Sequence, residues 1–182
     1  MAKLISKTYG EALFELAIEQ NKIDVFLEEV KGILRVLAEN QEFGKLMLHP
    51  KISKQEKVEV AKNVFEGRIS EELTGFITLI ISKERYSSLE DILNYFVDRV
   101  KEEKGIGVAT VTTAVPIGEI LKKQIEEKLL ETTRYKEMEM NFKVDPSIIG
   151  GMIIRIKDRV VDSSIQTKLN ELQKQLYQIQ LG

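Results

Sequence analysis

The chain has 182 residues, which allows one domain or two small ones at ~100–200 residues each. Lysine and arginine total 27 against 29 aspartates and glutamates, so the net charge is −2. A general nucleic-acid binder needs a cationic excess to displace phosphate counterions, and this balance does not supply one; it gives equally little support for direct attachment to an anionic membrane surface.

Apolar residues make up 43% and charged residues 31%, too much apolar matter for a disordered chain. With no cysteine, disulfides, thiolate metal sites and cysteine nucleophiles are excluded together, and a single histidine leaves little for imidazole chemistry. The first ten residues lack the ~7–15-residue apolar block of a signal peptide, and no apolar run approaches the ~20 residues of a membrane span. The expectation is a soluble intracellular protein without conventional enzymatic chemistry.

The first hundred residues read as helix after helix. Leu13, Leu16, Ala17 and Gln20 follow Tyr9 at helical spacing, and Ile23, Phe26, Leu27, Val30, Leu34 and Leu37 form a fuller stripe. A short helix over Phe43 to Leu48 is stopped by Pro50, because the residue before proline avoids helical angles. Ser53 with Glu56 is a capping-box pattern opening a helix with Val58, Ala61, Val64 and Phe65, and Gly67 suits its end. A fifth helix runs from Glu71 to about Lys83 with Leu73, Phe76, Ile77, Ile80 and Ile81. The sixth carries Leu89, Ile92, Leu93, Phe96, Val97 and Val100, with Ser87 and Glu90 spaced as a second capping box and Gly105 as its C′ residue. Six amphipathic helices with short loops predict a bundle.

At Gly105 the pattern changes. Residues 106–115 are rich in β-branched side chains and read as a strand ended by Pro116. A helix with Ile120, Leu121, Ile125, Leu129 and Leu130 follows. Met138, Met140, Phe142 and Val144 then alternate with polar residues, as in a strand covered on one face. Asp145-Pro146-Ser147 is a turn, Gly151 to Ile156 a strand, and Asp158-Arg159 turns into a short returning strand at Val160-Val161. Ser163 and Gln166 are spaced to cap a final helix. The expected fold class is α+β, with a six-helix bundle over residues 1–105 and a small α/β module over 106–182.

No nucleotide-binding glycine motif, H-E-x-x-H or G-x-S-x-G occurs. Gly150-Gly151 lacks the lysine and third glycine of a phosphate cradle and reads as a close backbone approach or bulge. His49 sits at a helix end with no ligating neighbours. The pairs Glu28-Glu29, Glu71-Glu72 and Glu126-Glu127 fall on solvated helix faces, where charged pairs contribute ~0.2–0.5 kcal/mol each. No catalytic residue, cofactor or metal ligand is expected.

Two features point to partners instead. In the fifth helix, Phe76-Ile77-Thr78-Leu79-Ile80-Ile81 covers more than one side, with Leu79 about 100° from Ile80. In the first helix, Phe14 and Ile18 lie roughly opposite the Tyr9/Leu13/Leu16 stripe. A fully surrounded helix explains this, and so does a groove completed by an amphipathic helix from another protein. The last helix spaces Ile165, Leu169, Leu172, Leu176 and Ile179 as a seam of only about two heptads, short of the ~3–4 of a coiled coil; packing on the sheet of its own domain is the expected use.

These residues also carry a family resemblance. Tyr9-Gly10-Glu11-Ala12-Leu13-Phe14 resembles the Y-A-x-A-L-F of the first helix in the delta subunits of F-type ATP synthases, called oligomycin-sensitivity-conferring protein in mitochondria. Pro50-x-Ile52-Ser53-x-x-Glu56-Lys57 is similar to the family's P-x-I-S-x-x-E-K. The most specific match is Val144-Asp145-Pro146-Ser147-Ile148-Ile149-Gly150-Gly151-Met152-Ile153-Ile154-Arg155, continuing through Asp158-Arg159-Val160-Val161-Asp162-Ser163-Ser164-Ile165 to Leu169. The matches span essentially the whole chain. Gly10 departs from the usual alanine, and Lys157 and Ser163 stand where glycine is common, which bears on local turn geometry.

The resemblance implies a stator protein without an active site. Family members link the catalytic head to the peripheral-stalk b subunits and receive the N-terminal helix of an alpha subunit between the first and fifth helices. By position, Tyr9, Ala12 and Leu79 are candidates for that groove and Lys83 for its rim, while the second module would hold the b stalk. No nucleic acid is implied, and membrane association would be indirect, through the complex. The lack of a transit peptide leads to the expectation of a bacterial protein, peripheral on the cytoplasmic face of the cell membrane. A different class, a small RNA-binding or ribosome-associated α/β module, is motivated by Lys122-Lys123, Arg155, Lys157 and Arg159; near-neutral charge and the lack of aromatics on that sheet count against it.

Overall fold

Local sequence sets the elements of the first half. A computed structural model describes residues 2–180, with side chains described for residues 4–177. Its helices are α1 (Ala2–Glu19), α2 (Ile23–Glu39), α3 (Gln41–Leu48), α4 (Lys54–Phe65), α5 (Glu71–Ser82) and α6 (Leu89–Glu103). The Ser53 box is formed: Ser53 N–H donates to Glu56 Oε2 at 2.8 Å, and Glu56 N–H donates back to Ser53 Oγ at 3.3 Å. Gly67 and Gly105 follow α4 and α6 with left-handed backbone angles. The second box does not form as expected. Tyr86–Ser88 make a 3₁₀ turn that runs straight into α6, so Ser87 is already inside helical backbone.

The chain divides into two compact units, Met1–Lys101 and Glu102–Gly182. In the first, one apolar cluster unites Leu13, Phe14 and Ala17 of α1 with Phe26 and Val30 of α2, Phe65 of α4, Leu73, Ile77 and Ile80 of α5, and Ile92, Phe96 and Val100 of α6. The α2 stripe is as expected, with Ile33 buried as well. Two acidic residues expected on solvated faces instead tie helices together. Glu29 of α2 accepts from Ser70 N–H at 3.1 Å and Oγ at 2.7 Å, which occupies orphan donors at the start of α5. Glu72 receives the Lys22 ammonium at 2.7 Å.

The second unit is a sheet ordered β2-β1-β3-β4, from β1 (Ile106–Thr113), β2 (Glu137–Val144), β3 (Met152–Ile156) and β4 (Arg159–Asp162), with α7 (Glu119–Thr132) and α8 (Ile165–Gln180). The crossover through α7 makes β2 parallel to β1, while β3 is antiparallel to β1 and to β4. Gly107, Ala109, Val111 and Thr113 of β1 are buried. The register aligns them with Met138, Met140 and Phe142 of β2, on the face where the Lys122 ammonium of α7 lies 5.3 Å from the Phe142 ring centroid.

The final helix differs from expectation twice. Its cap is Ser164, whose Oγ accepts from Thr167 N–H at 3.2 Å, whereas Ser163 Oγ donates to the Met152 carbonyl at 2.8 Å. And α8 does not lay its seam on the sheet: Ile165, Leu169, Leu172 and Leu176 stay 44–64% exposed. Ile179 lies outside the residues whose side chains are described.

Candidate partner-binding surfaces

Neighbouring contacts fix the directions of α1, α5 and α6. Gly10 of α1 faces the Ile92 carbonyl and the Tyr95 ring, where an added Cβ would stand 2.4 Å from Tyr95 Cδ1. One residue on, Glu11 accepts from Tyr95 Oη at 3.0 Å and Arg99 Nε at 3.3 Å, and the Arg99 guanidinium lies 4.6 Å over Phe14. Both series ascend together, so α1 and α6 are parallel. Lys22, just past α1, bonds Glu72 in the first turn of α5, and a short connection returns α5 into α6. Hence α5 runs opposite to α1.

This frame locates the expected groove residues. The side of α1 against α6 buries Gly10 and Phe14. The other flank carries Ile5, Tyr9, Ala12 and Leu16 at spacings of four, three and four; Ala12 is exposed and the other three are half-buried. On α5, Leu79 falls two turns from Glu72 and about 20° around the helix from it, on the side whose Glu72 bonds Lys22 just past α1. Leu79 is 45% exposed, and Gly75 one turn earlier leaves open space beside it. Lys83, one turn later, is the exposed C-cap of α5. Phe14 belongs to the core and Ile18 is 46% exposed, so neither α1 nor α5 is fully enclosed. Ile5, Leu16 and Gly75 were not singled out as groove residues from the sequence; the four-three-four spacing through Tyr9 and Ala12 is the signal that marks the first two.

The second unit offers a different surface. Asp145 accepts from Ser147 N–H and opens the turn over Pro146–Ile148; hydrogen bonding from Ser147, its side chain first and then its backbone, holds the Asp145 carboxyl below the usual value. Ile149 then takes φ +67, a left-handed angle that β-branched residues resist, and is left exposed. Gly150 accepts from Ile165 N–H at 3.0 Å, and Gly151, at φ +75, passes so close to Ser163 that a Cβ would stand 2.4 Å from its carbonyl oxygen. The glycine pair is thus a seat for the start of α8, in line with the close-approach reading. Asp162 accepts from Ser164 N–H and Thr167 Oγ1, both at 2.8 Å, and these bonds, Ser164 first, lower its carboxyl. Above this seat the apolar edge of α8 is open.

Catalytic geometry is not assembled around the residues considered. His49 Nδ1 accepts from Lys51 N–H at a loose 3.3 Å. Among the described residues no cluster of three or more acidic or histidine side chains could hold a metal ion. Of the cations behind the RNA alternative, Lys122 is paired with Glu119 at 2.6 Å and Lys157 with Glu102 at 2.8 Å. What the two units present is exposed apolar side chains on helices, Ile18 and Leu79 in the first and Leu169, Leu172 and Leu176 in the second.

Comparison with known proteins shows the family. The model of the ATP synthase delta (OSCP) subunit family matches residues 5–176. An ATP synthase subunit delta from Lachnoclostridium phytofermentans is 56% identical over 182 residues, covering 100% of both chains. One from Brevibacillus brevis is 36% identical over 169 residues, covering 93% of this chain and 96% of its own. A chain of the Toxoplasma gondii mitochondrial ATP synthase hexamer shares the fold, with a TM-score of 0.75 at 20% identity over 94% of this chain and 97% of that one. The chain belongs to the ATP synthase delta (OSCP) family. Its function is that of a non-catalytic stator component of F-type ATP synthase, a membrane-associated complex. No helix among the described residues is long and apolar enough to cross a membrane.

Proposed function

We propose that the flanks of α1 and α5 receive the N-terminal helix of an alpha subunit, with Tyr9, Ala12 and Leu79 beneath it and Lys83 at the rim. The second unit, through α8, then holds the b subunits of the peripheral stalk, with the complex on the cytoplasmic face of a bacterial membrane. A stator must keep the catalytic head from turning with the central shaft, so each end needs a partner held by packing rather than by chemistry. The observation that carries the reading is the half-open stripe Ile5–Tyr9–Ala12–Leu16 on a helix whose other side is buried, together with the exposed Leu79 on the side of α5 that carries Glu72, the partner of Lys22 just past α1.

The test uses the full chain and a peptide of the alpha N-terminus. Ala12→Asp or Leu79→Asp would place an unpaired carboxylate under the helix, and affinity should fall by ~30-fold or more. Unchanged affinity in both variants would overturn the groove. Leu172→Asp should spare peptide binding and abolish co-purification of b with the tagged chain; retention of b would reject α8 as the stalk contact.

A further inference from the structure

The α1–α5 flank is apolar along its middle, but its two ends differ in charge. Toward the end of α1, Glu15 lies one turn from Ala12, and Glu19 continues the Ala12 stripe two turns on; both are exposed, and neither has an ion pair among the described residues. The antiparallel start of α5 adds Glu71, also exposed and without an ion pair among the described residues, while Glu72 is neutralised by Lys22. The opposite end carries Lys83, exposed and without an ion pair among the described residues, with Arg85 just beyond; Glu84 there is taken by Lys54 at 3.3 Å. The flank is therefore an electric dipole laid along the two helices.

We infer that this dipole sets the direction of the helix the flank receives: the partner is an amphipathic helix with a basic end over Glu15, Glu19 and Glu71 and an acidic end beside Lys83. The inference rests on the docking reading above and adds the chemistry and polarity of the occupant. The apolar stripe alone cannot set direction, because an apolar helix face packs equally well either way round; charge complementarity at the ends supplies the discrimination.

The absence of cysteine allows single labelling sites to be introduced, and Gln20→Cys and Ser82→Cys mark the two ends at exposed positions. The probe is a synthetic amphipathic peptide of about 18 residues with a Leu/Ile stripe, a lysine block at one end, a glutamate block at the other and a dye on the lysine end. Energy transfer should be stronger to the label at Gln20→Cys than to that at Ser82→Cys, and moving the dye to the glutamate end should invert the order. Glu15→Gln with Glu19→Gln should weaken binding about three- to tenfold at low salt and erase the preference, while a peptide with uncharged ends should not respond to those changes. Tight binding with no preference, or with the reverse one, overturns the polarity and leaves the docking reading standing. A peptide that does not bind at all overturns both.

Discussion

Gly150 and Gly151 are adjacent and both crowded, yet the structure separates the cost of filling them. At Gly151 a Cβ would meet a backbone atom, the Ser163 carbonyl oxygen at 2.4 Å, with Ser164 Cα 3.3 Å away, and φ is +75. Holding an alanine in that region costs ~1–2 kcal/mol, and relieving a backbone overlap typically costs ~1–3 kcal/mol more, so Gly151→Ala should lose about 2–5 kcal/mol. A unit of about eighty residues is stable by roughly 4–12 kcal/mol, so the loss is a large share. At Gly150 the obstacle is Ile165 Cδ1 at 2.6 Å, the tip of a side chain that can rotate, and the residue is not at positive φ. Gly150→Ala should change stability by less than ~1 kcal/mol, because lower unfolded-chain entropy offsets the repacking. The assay is urea unfolding followed by amide resonances assigned to each unit. Gly151→Ala should move the midpoint of the second unit down by ~1–2 M or more and leave the resonances of α1 to α6 unmoved. If the two variants shift the second unit equally, or Gly150→Ala shifts it more, the account of the seat beneath α8 is wrong.

Asp162 gives a pH dependence. Its carboxyl is lowered by Ser164 and Thr167, so the stability it contributes is present above the ordinary aspartate value of 3.8 and is lost as pH falls through the lower folded value. Protection factors of the amides in the first turn of α8, taken relative to the intrinsic exchange rate at each pH, should fall as pH drops through that range, and Asp162→Asn should remove the effect. Phe96→Ala, at a fully buried side chain, should cost ~3–5 kcal/mol in unfolding, whereas Leu79→Ala should cost under ~1 kcal/mol yet weaken alpha-peptide binding. Similar stability losses at both positions would contradict the exposed placement of Leu79.

The helices were legible because apolar spacing and caps are local. Ser53, Glu56, Gly67 and Gly105 act within their own turns, and the structure uses them as read. What could not be read depends on distant partners. Phe14 becomes core because Arg99 lies over it and Gly10 lets Tyr95 approach, both contacts more than eighty positions away. That rotates the buried face of α1 and turns Tyr9 and Leu16 into a flank. Glu29 looks like any solvated glutamate until Ser70 is brought to it. Ser163 and Ser164 have similar local claims as a cap, and the choice falls to Ser164 because the Met152 carbonyl takes the other hydroxyl. Among the expected groove positions, Leu79 was betrayed by apolar excess in its own helix, whereas Ile5 and Leu16 emerge only once the packed side of α1 is known.

The path of the chain through its sheet has a mechanical consequence. It enters β1 at Ile106, at one end of the ladder, and leaves β4 at Asp162, which aligns through Ile153 with Thr112 at the other end. A pull between these points runs along the strands, so the interstrand bonds lie across the load and must yield together rather than unzip one at a time. A linker built this way resists steady tension far better than one peeled from its edge, a fitting property in a part whose work is to stay still while its machine turns.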